Sequence, residues 1–253
     1  MAATEEQPAA RTTGDAVVAH DLTRRYGEGE TAVDALRGVS LSVRSGELVA
    51  VMGPSGSGKS TLMHSLAGLD KPTSGTVEIA GTEITGLSDA MLTRLRREHI
   101  GFVFQFFNLL PMLTAEENVV LPLSIAGEKP DTTWLDELLG RTGIAKRRTH
   151  RPSELSGGEQ QRVAISRALV TKPTILFADE PTGNLDSKTG GEILDLIRSS
   201  VDAYGQTIVM VTHEARAAVI ADRILFIADG LIVKELAQAS TEDVLTVMSS
   251  LTS

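Results

Sequence analysis

Gly53-Pro54-Ser55-Gly56-Ser57-Gly58-Lys59-Ser60 is the stretch around which the rest of the chain is organised. The apolar run Leu48-Val49-Ala50-Val51-Met52 precedes it, and Thr61-Leu62-Met63-His64-Ser65-Leu66-Ala67-Gly68, patterned as a helix, follows. Strand, Gly-x4-Gly-Lys-Ser loop and helix in that order make a phosphate-binding loop. The glycines let successive N–H groups turn inward, Lys59 reaches the outer phosphates, and the Ser60 hydroxyl can ligate magnesium. The helix that follows adds the positive end of its dipole. A bare glycine and serine turn is the alternative, and the strand before and helix after weigh against it.

Outward from the loop, 253 residues suit one large α/β domain or two small ones and bury about 70% of the unfolded surface. Hydrophobic and charged fractions of 42% and 23% are ordinary for a globular chain and exclude disorder of the whole. A formal net charge of -9 argues against nucleic acid as a partner, because neutralising phosphates needs clustered Lys and Arg. The absence of cysteine excludes disulfides, thiol catalysis and Cys-ligated zinc, and fits a cytoplasmic setting. The most apolar stretch, His99 to Ala115, is interrupted by Gln105, Asn108 and Pro111 and falls short of the roughly 20 residues a membrane span needs. Residues 1–14 are polar and acidic without an apolar segment, and are expected to be a disordered tail rather than a signal peptide.

From Ala16 to Val43, short alternating stretches predict antiparallel strands, separated by the turn-rich Tyr26-Gly27-Glu28-Gly29-Glu30. Tyr26 is either an aromatic surface for a base or a strand-end packing residue. Gly75 to Ile84 reads as a hairpin, and Ser88 caps a helix through Arg97 whose Arg94, Arg96 and Arg97 form a solvated face. Ile100-Gly101-Phe102-Val103-Phe104 is a buried-type strand that delivers Gln105 at its end, where open α/β sheets read ligands. Pro111, Pro122, Pro130 and Pro152 punctuate helical patterns over residues 106–172, a helical subdomain inserted into the sheet order, and the spacing of Trp134 to Leu138 places Trp134 in the core. From Thr174 strands and helices alternate, with strands at Thr174 to Ala178, Thr207 to Val211, Ile224 to Ile227 and Leu231 to Glu235, and helices at about Lys188 to Tyr204, Glu214 to Ala221 and from Thr241. The fold expected is α/β: a P-loop NTPase core with a mostly parallel sheet, an N-terminal antiparallel β subdomain and the inserted helices.

Asp179 and Glu180 end an uncharged strand, and adjacent strand residues point opposite ways. One carboxylate can then hold magnesium while the other polarises the attacking water, as phosphoryl transfer requires. His213 also follows a strand, so Lys59, Gln105, Asp179 and His213 all stand just after apolar runs. Leu155-Ser156-Gly157-Gly158-Glu159-Gln160-Gln161-Arg162 is a second Gly-rich helix start. Ser156 and the N–H groups of Gly157 and Gly158 either bind the same phosphates from another subunit or form a capped turn.

The phosphate loop, Gln105, the Leu155 to Arg162 stretch, Ile175 to Glu180, Asn184-Leu185-Asp186 and Thr212-His213 occur in the order found in ATP-binding subunits of ABC transporters, which the chain resembles over roughly residues 16–236. That resemblance implies ATP and Mg2+ as cofactors, Tyr26 stacking on adenine, and Gly53, Pro54, Ser55, Gly56, Ser57, Gly58, Lys59, Ser60 and Thr61 holding the phosphates. It further implies Gln105 linking magnesium and water to the helical subdomain, Asp179 with the metal, Glu180 as general base and His213 on the γ-phosphate. Ser156, Gly157 and Gly158 would close over ATP held by a second subunit, and Asp186 would communicate across that homodimer.

Phe106 to Pro122 and Glu180 to Asp186 resemble the macrolide-export and lipoprotein-release branch, whose partners are integral membrane permeases with a large extracytoplasmic domain. Glu214 departs from the family's usual Asp after the histidine but keeps the charge. The expected function is an ATPase that dimerises on ATP and drives a permease from the cytoplasmic face of the membrane; an ATP-dependent regulatory subunit of a cell-division or signalling complex is the alternative. Expected boundaries are a tail at 1–14, the ATPase domain at 15–240 with its helical subdomain at about 106–172, and a terminal helix at 241–253. Residues around Phe106 to Leu123 are either the permease contact or core.

Overall fold

The structure, a computed structural model, describes residues 14–251. The predicted tail therefore lies outside the described residues except for Gly14, as do Thr252 and Ser253. Strands β1 (Asp15–Tyr26) and β2 (Val33–Arg44) pair antiparallel along their length, from Val17 opposite Val43 to Tyr26 opposite Val33. With β4 (Ser74–Ile79) and β5 (Thr82–Glu83) they form a four-stranded sheet of order β2-β1-β4-β5. The predicted hairpin and the helix capped by Ser88, α2 (Asp89–His99), both form.

The second sheet holds β3 (Leu48–Met52), β6 (Ile100–Val103), β7 (Ile175–Asp179), β8 (Thr207–Val211), β9 (Arg223–Ala228) and β10 (Leu231–Ala237) in the order β10-β9-β3-β8-β7-β6. All its pairings are parallel except the antiparallel edge strand β10. Parallel strands are covered on both faces and so lack polar alternation. In β3, Val49 and Val51 pack with the antiparallel sheet and α1 (Lys59–Leu66), whereas Leu48, Ala50 and Met52 pack on the opposite side with the helices between β6 and β8. Each fully buried side chain of Val, Leu or Phe size stabilises by about 1.5–3 kcal/mol over exposure.

Helices α3 (Ala115–Ala126), α4 (Thr132–Arg141) and α5 (Gly157–Leu169) all fall between the neighbouring strands β6 and β7, as an insertion in the sheet order requires. Pro122, expected to punctuate, lies inside α3. The helix is anchored elsewhere: the side chain of buried Asn118 donates to the carbonyls of Leu110, Leu113 and Thr114 and accepts from the Leu110 N–H. Leu135, Leu138 and Leu139 of α4 are core, but Trp134 is only partly buried. Its indole N–H donates to the Val170 carbonyl at 3.1 Å, and its ring meets Tyr204 edge-on. The remaining helices are α6 (Ser187–Tyr204), α7 (Ala215–Ala218), shorter than expected, and α8 (Thr241–Leu251). Among the described residues no helix is long and apolar enough to cross a membrane.

Candidate nucleotide-binding site

Register decides which residues leave a parallel sheet together. Ala50 of β3 and Ala178 of β7 both pair with Met210 of β8, and Val103 of β6 pairs with Ala178. Two residues past that level come Met52, Thr212, Glu180 and Gln105. The phosphate loop, His213, the Asp179 and Glu180 pair, and Gln105 therefore leave the same edge of four adjacent strands.

The phosphate loop turns where only glycine fits. Gly53 has φ 155°, and a Cβ there would lie 2.0 Å from the Ile227 carbonyl oxygen; at Gly58, φ 104°, it would lie 2.4 Å from that of Ala35. Gly58 precedes the first turn of α1 and no side chain caps that helix, so its first N–H groups face outward without a side-chain acceptor. The Lys59 ammonium donates to the carbonyls of Gly53 at 2.9 Å and Pro54 at 2.7 Å. Burial pushes its pKa down, while the carboxylates of Glu180 and Asp179 oppose that fall. Burial also pushes the Asp179 carboxyl up; His64 and Lys59 pull it back and Glu180 adds to it. Loop, lysine and both carboxylates thus form one electrostatic unit.

The expectation that Asp179 and Glu180 point opposite ways assumed both were extended. Asp179 ends β7, but Glu180 has φ 44°, a left-handed conformation costing roughly 1–2 kcal/mol in a residue with a Cβ. Its N–H still donates to the Val211 carbonyl at 2.9 Å, and its carboxylate accepts a 2.9 Å hydrogen bond from Nδ1 of His213. The turn aims Glu180 at the histidine delivered by the next strand. Since an ionised carboxylate only accepts, Nδ1 carries the proton in that contact.

Gln105 packs on the loop after Glu180: its Nε2 lies 2.8 Å from where a Cβ of Gly183 would stand, and the Asn184 side chain donates to its carbonyl at 2.9 Å. Two residues of α5 to which no role was given at the level of sequence hold this region. Gln161 Nε2 donates to the Pro181 carbonyl at 2.6 Å and reaches that of Phe104, while Arg167 donates to the carbonyls of Phe107 at 2.9 Å and Asn108 at 2.6 Å. Phe107 and Asn108 both have positive φ, so Arg167 grips a kinked loop; burial pushes its pKa down. The available signal was a guanidinium within the apolar run Val163 to Val170.

Tyr26 ends β1 and is 40% exposed, which leaves aromatic surface open to a ligand. It pairs with Val33, two and three residues before Ala35 and Leu36, which crowd Gly58 of the loop. Ser156 caps α5 by a reciprocal box with Glu159, its Oγ accepting from the Glu159 N–H and its own N–H donating to the Glu159 carboxylate at 2.8 Å. A Cβ at Gly158 would lie 2.3 Å from Thr189 Cγ2, and one at Gly157 3.4 Å from Leu185; none of the close neighbours of these glycines belongs to the phosphate loop. Asp186 caps α6, accepting from the N–H groups of Lys188 and Thr189 and from the Thr189 hydroxyl. Gly158 is buried against Thr189, whose N–H and hydroxyl bond Asp186, so the start of α5 and the start of α6 are packed together. Phe106 and Met112 are 70% and 80% exposed, whereas Ala115 and Val119 are core, which divides the stretch expected to be either contact or core.

A lipoprotein-releasing system ATP-binding protein LolD from Geobacter metallireducens is 51% identical over 85% of this chain and 96% of its own length. A macrolide export ATP-binding/permease protein MacB from Marinobacter nauticus is 48% identical over 85% of this chain, which spans only 34% of that larger protein. A solved dimer of the ATP-binding cassette MJ0796, in a post-hydrolysis state bound to ADP and Pi, superposes with a TM-score of 0.79 at 43% identity, covering 88% of this chain and 99% of that one. The family model described as ABC transporter matches residues 36–183, from β2 through the phosphate loop, Gln105, the Ser156 turn and Glu180, and the chain belongs to that family.

Proposed function

We propose that this chain is the ATP-hydrolysing subunit of an ABC transporter, dimerising on ATP and working at the cytoplasmic face of a membrane through a separate permease. The observation that carries the reading is the delivery of a phosphate loop, two carboxylates, a histidine and a glutamine from one edge of four adjacent strands. Residues 15–240 act as the catalytic unit, with 106–172 as its helical subdomain. Tyr26 stacks on the base, Gly53 to Thr61 hold the phosphates, and Lys59 supplies positive charge to the outer ones.

Magnesium fits the donors present: the exposed Ser60 hydroxyl, the Asp179 carboxylate and the Gln105 amide all offer oxygen. Among the described residues no cluster of three or more His, Cys, Asp or Glu able to hold a metal occurs, so these three oxygen donors are the ones that would hold the ion. When bound it neutralises phosphate charge. Glu180 accepts the proton of the attacking water, and the Nδ1 hydrogen bond of His213 orients that carboxylate. Ser156, Gly157 and Gly158 of a second copy close the site, and Asp186 relays its state across the dimer. The exposed Phe106 and Met112 serve the permease contact, and lipoprotein release or macrolide export is the transport class proposed.

Glu180→Gln tests the assignment. Turnover should fall about 10²–10⁴-fold, the contribution of a general base, while ATP still binds and holds a dimer detectable by light scattering. Unchanged turnover would overturn it.

A further inference from the structure

The Tyr26 ring is not a free side chain at a strand end. The Arg24 guanidinium carbon lies 4.4 Å from the ring centroid, over one face, as two residues along a strand on the same side permits. The Tyr26 hydroxyl donates to Oδ2 of Asp70. Arg24 in turn grips the same carboxylate with both arms of its fork, Nε to Oδ2 at 2.9 Å and Nη2 to Oδ1 at 2.7 Å. The ring is thereby held over one face and at its tip, while 40% of the residue stays exposed.

Asp70 is itself tied to the helix that starts at the phosphate loop. Its N–H and that of Leu69 both donate to the His64 carbonyl, at 3.2 Å and 2.9 Å. The N-terminus of α1 carries Lys59 and Ser60, and the chain just beyond its C-terminus carries the carboxylate that holds the ring. At 1.5 Å per residue this eight-residue helix is a rigid spacer of about 12 Å.

We propose that Arg24 and Asp70 are positioning residues that clamp Tyr26 into one orientation at a fixed distance from the phosphate loop, and so set the affinity of the site for the nucleobase part of its substrate. This rests on reading Tyr26 as the base-stacking residue. The clamp acts by preorganisation: a ring ordered before the ligand arrives loses no rotamer freedom on binding. A structural role alone also exists in the contacts, since the Arg25 N–H donates to Thr73 and Thr23 bonds Ser74 in the same loop.

The experiment compares ATP with magnesium tripolyphosphate, which has the phosphates but no base, by calorimetry on the full chain. Arg24→Leu should weaken ATP binding about three- to tenfold and leave tripolyphosphate affinity within about twofold. KM for ATP should rise by more than kcat falls. Arg24→Lys should recover part of the loss, because it keeps a cation over the ring, and Tyr26→Phe, lacking only the tether to Asp70, should show a smaller loss of the same kind. Equal weakening of both ligands by Arg24→Leu would show a structural staple and overturn the clamp, as would unchanged ATP binding. Tyr26→Ala separates the two readings. If it weakens ATP alone while Arg24→Leu does nothing, the clamp fails and base stacking stands; if it has no effect on ATP, base stacking itself fails.

Discussion

The chain has two glycine-rich helix starts, and they are built on opposite principles. Before α1, Gly53, Gly56 and Gly58 all have positive φ, and no side chain caps the helix. In the first turn of α5, Gly157 and Gly158 lack the positive φ of the first loop's glycines, and Ser156 and Glu159 satisfy each other's N–H groups. The first loop uses glycine for conformation and leaves the first N–H groups of α1 without a side-chain acceptor. The second uses glycine for closeness, so that α5 can approach Thr189 and Leu185, and has already satisfied part of its own first turn. Glycine enrichment at a helix start therefore has two meanings, and here the cap separates them: the start of α1 has no side-chain acceptor for its first N–H groups, whereas that of α5 has part of its first turn satisfied by its own chain.

The sharpest way to break this contrast is Gly53→Ala. A methyl 2.0 Å from the Ile227 carbonyl oxygen forces the backbone aside, and a displacement near 1 Å costs about 100-fold in turnover. A steady-state ATPase assay on a variant shown to be folded by circular dichroism checks it; turnover near the parent's would mean that the loop's path does not matter. Next in size is a mixture of Lys59→Ala and Ser156→Arg subunits. If the second loop serves its partner, mixed dimers regain at most one working site, and two fully active sites per dimer would refute the trans arrangement. The smallest effect belongs to Ser156→Ala, which removes the cap of α5 and should cost about 1 kcal/mol, or about 2–4 °C in Tm by calorimetry. A Tm unchanged within about 0.5 °C would show that the box contributes nothing to α5.

Much of the site was legible because its parts are local. Lys59, Gln105, Asp179 and His213 each follow an apolar run, and a parallel sheet turns that one-dimensional fact into spatial convergence. What escaped reading depends on contacts between distant residues. Arg24 and Asp70 stand 46 positions apart, and Gln161 and Pro181 20, so no periodicity window holds either pair. The left-handed turn at Glu180 escaped reading for another reason. Strand alternation holds only while the backbone stays extended, and a glutamate in left-handed conformation carries no local signature, unlike glycine. The cap at Ser156 was written in the sequence as Ser-x-x-Glu, and it supported the capped-turn alternative that the glycines alone left open.

The level register of β3, β8, β7 and β6 also determines where the chain tolerates a change of length. One residue deleted inside β7 would bring Glu180 to the rung of Asp179 and swap the sides of the sheet for every residue between the deletion and the edge. The same deletion in the exposed connection between α3 and α4, at Glu128 and Lys129, moves no residue of that edge. Insertions and deletions are thus confined to the connections, and the lengths of four short strands are as much a part of the site as the side chains at their ends.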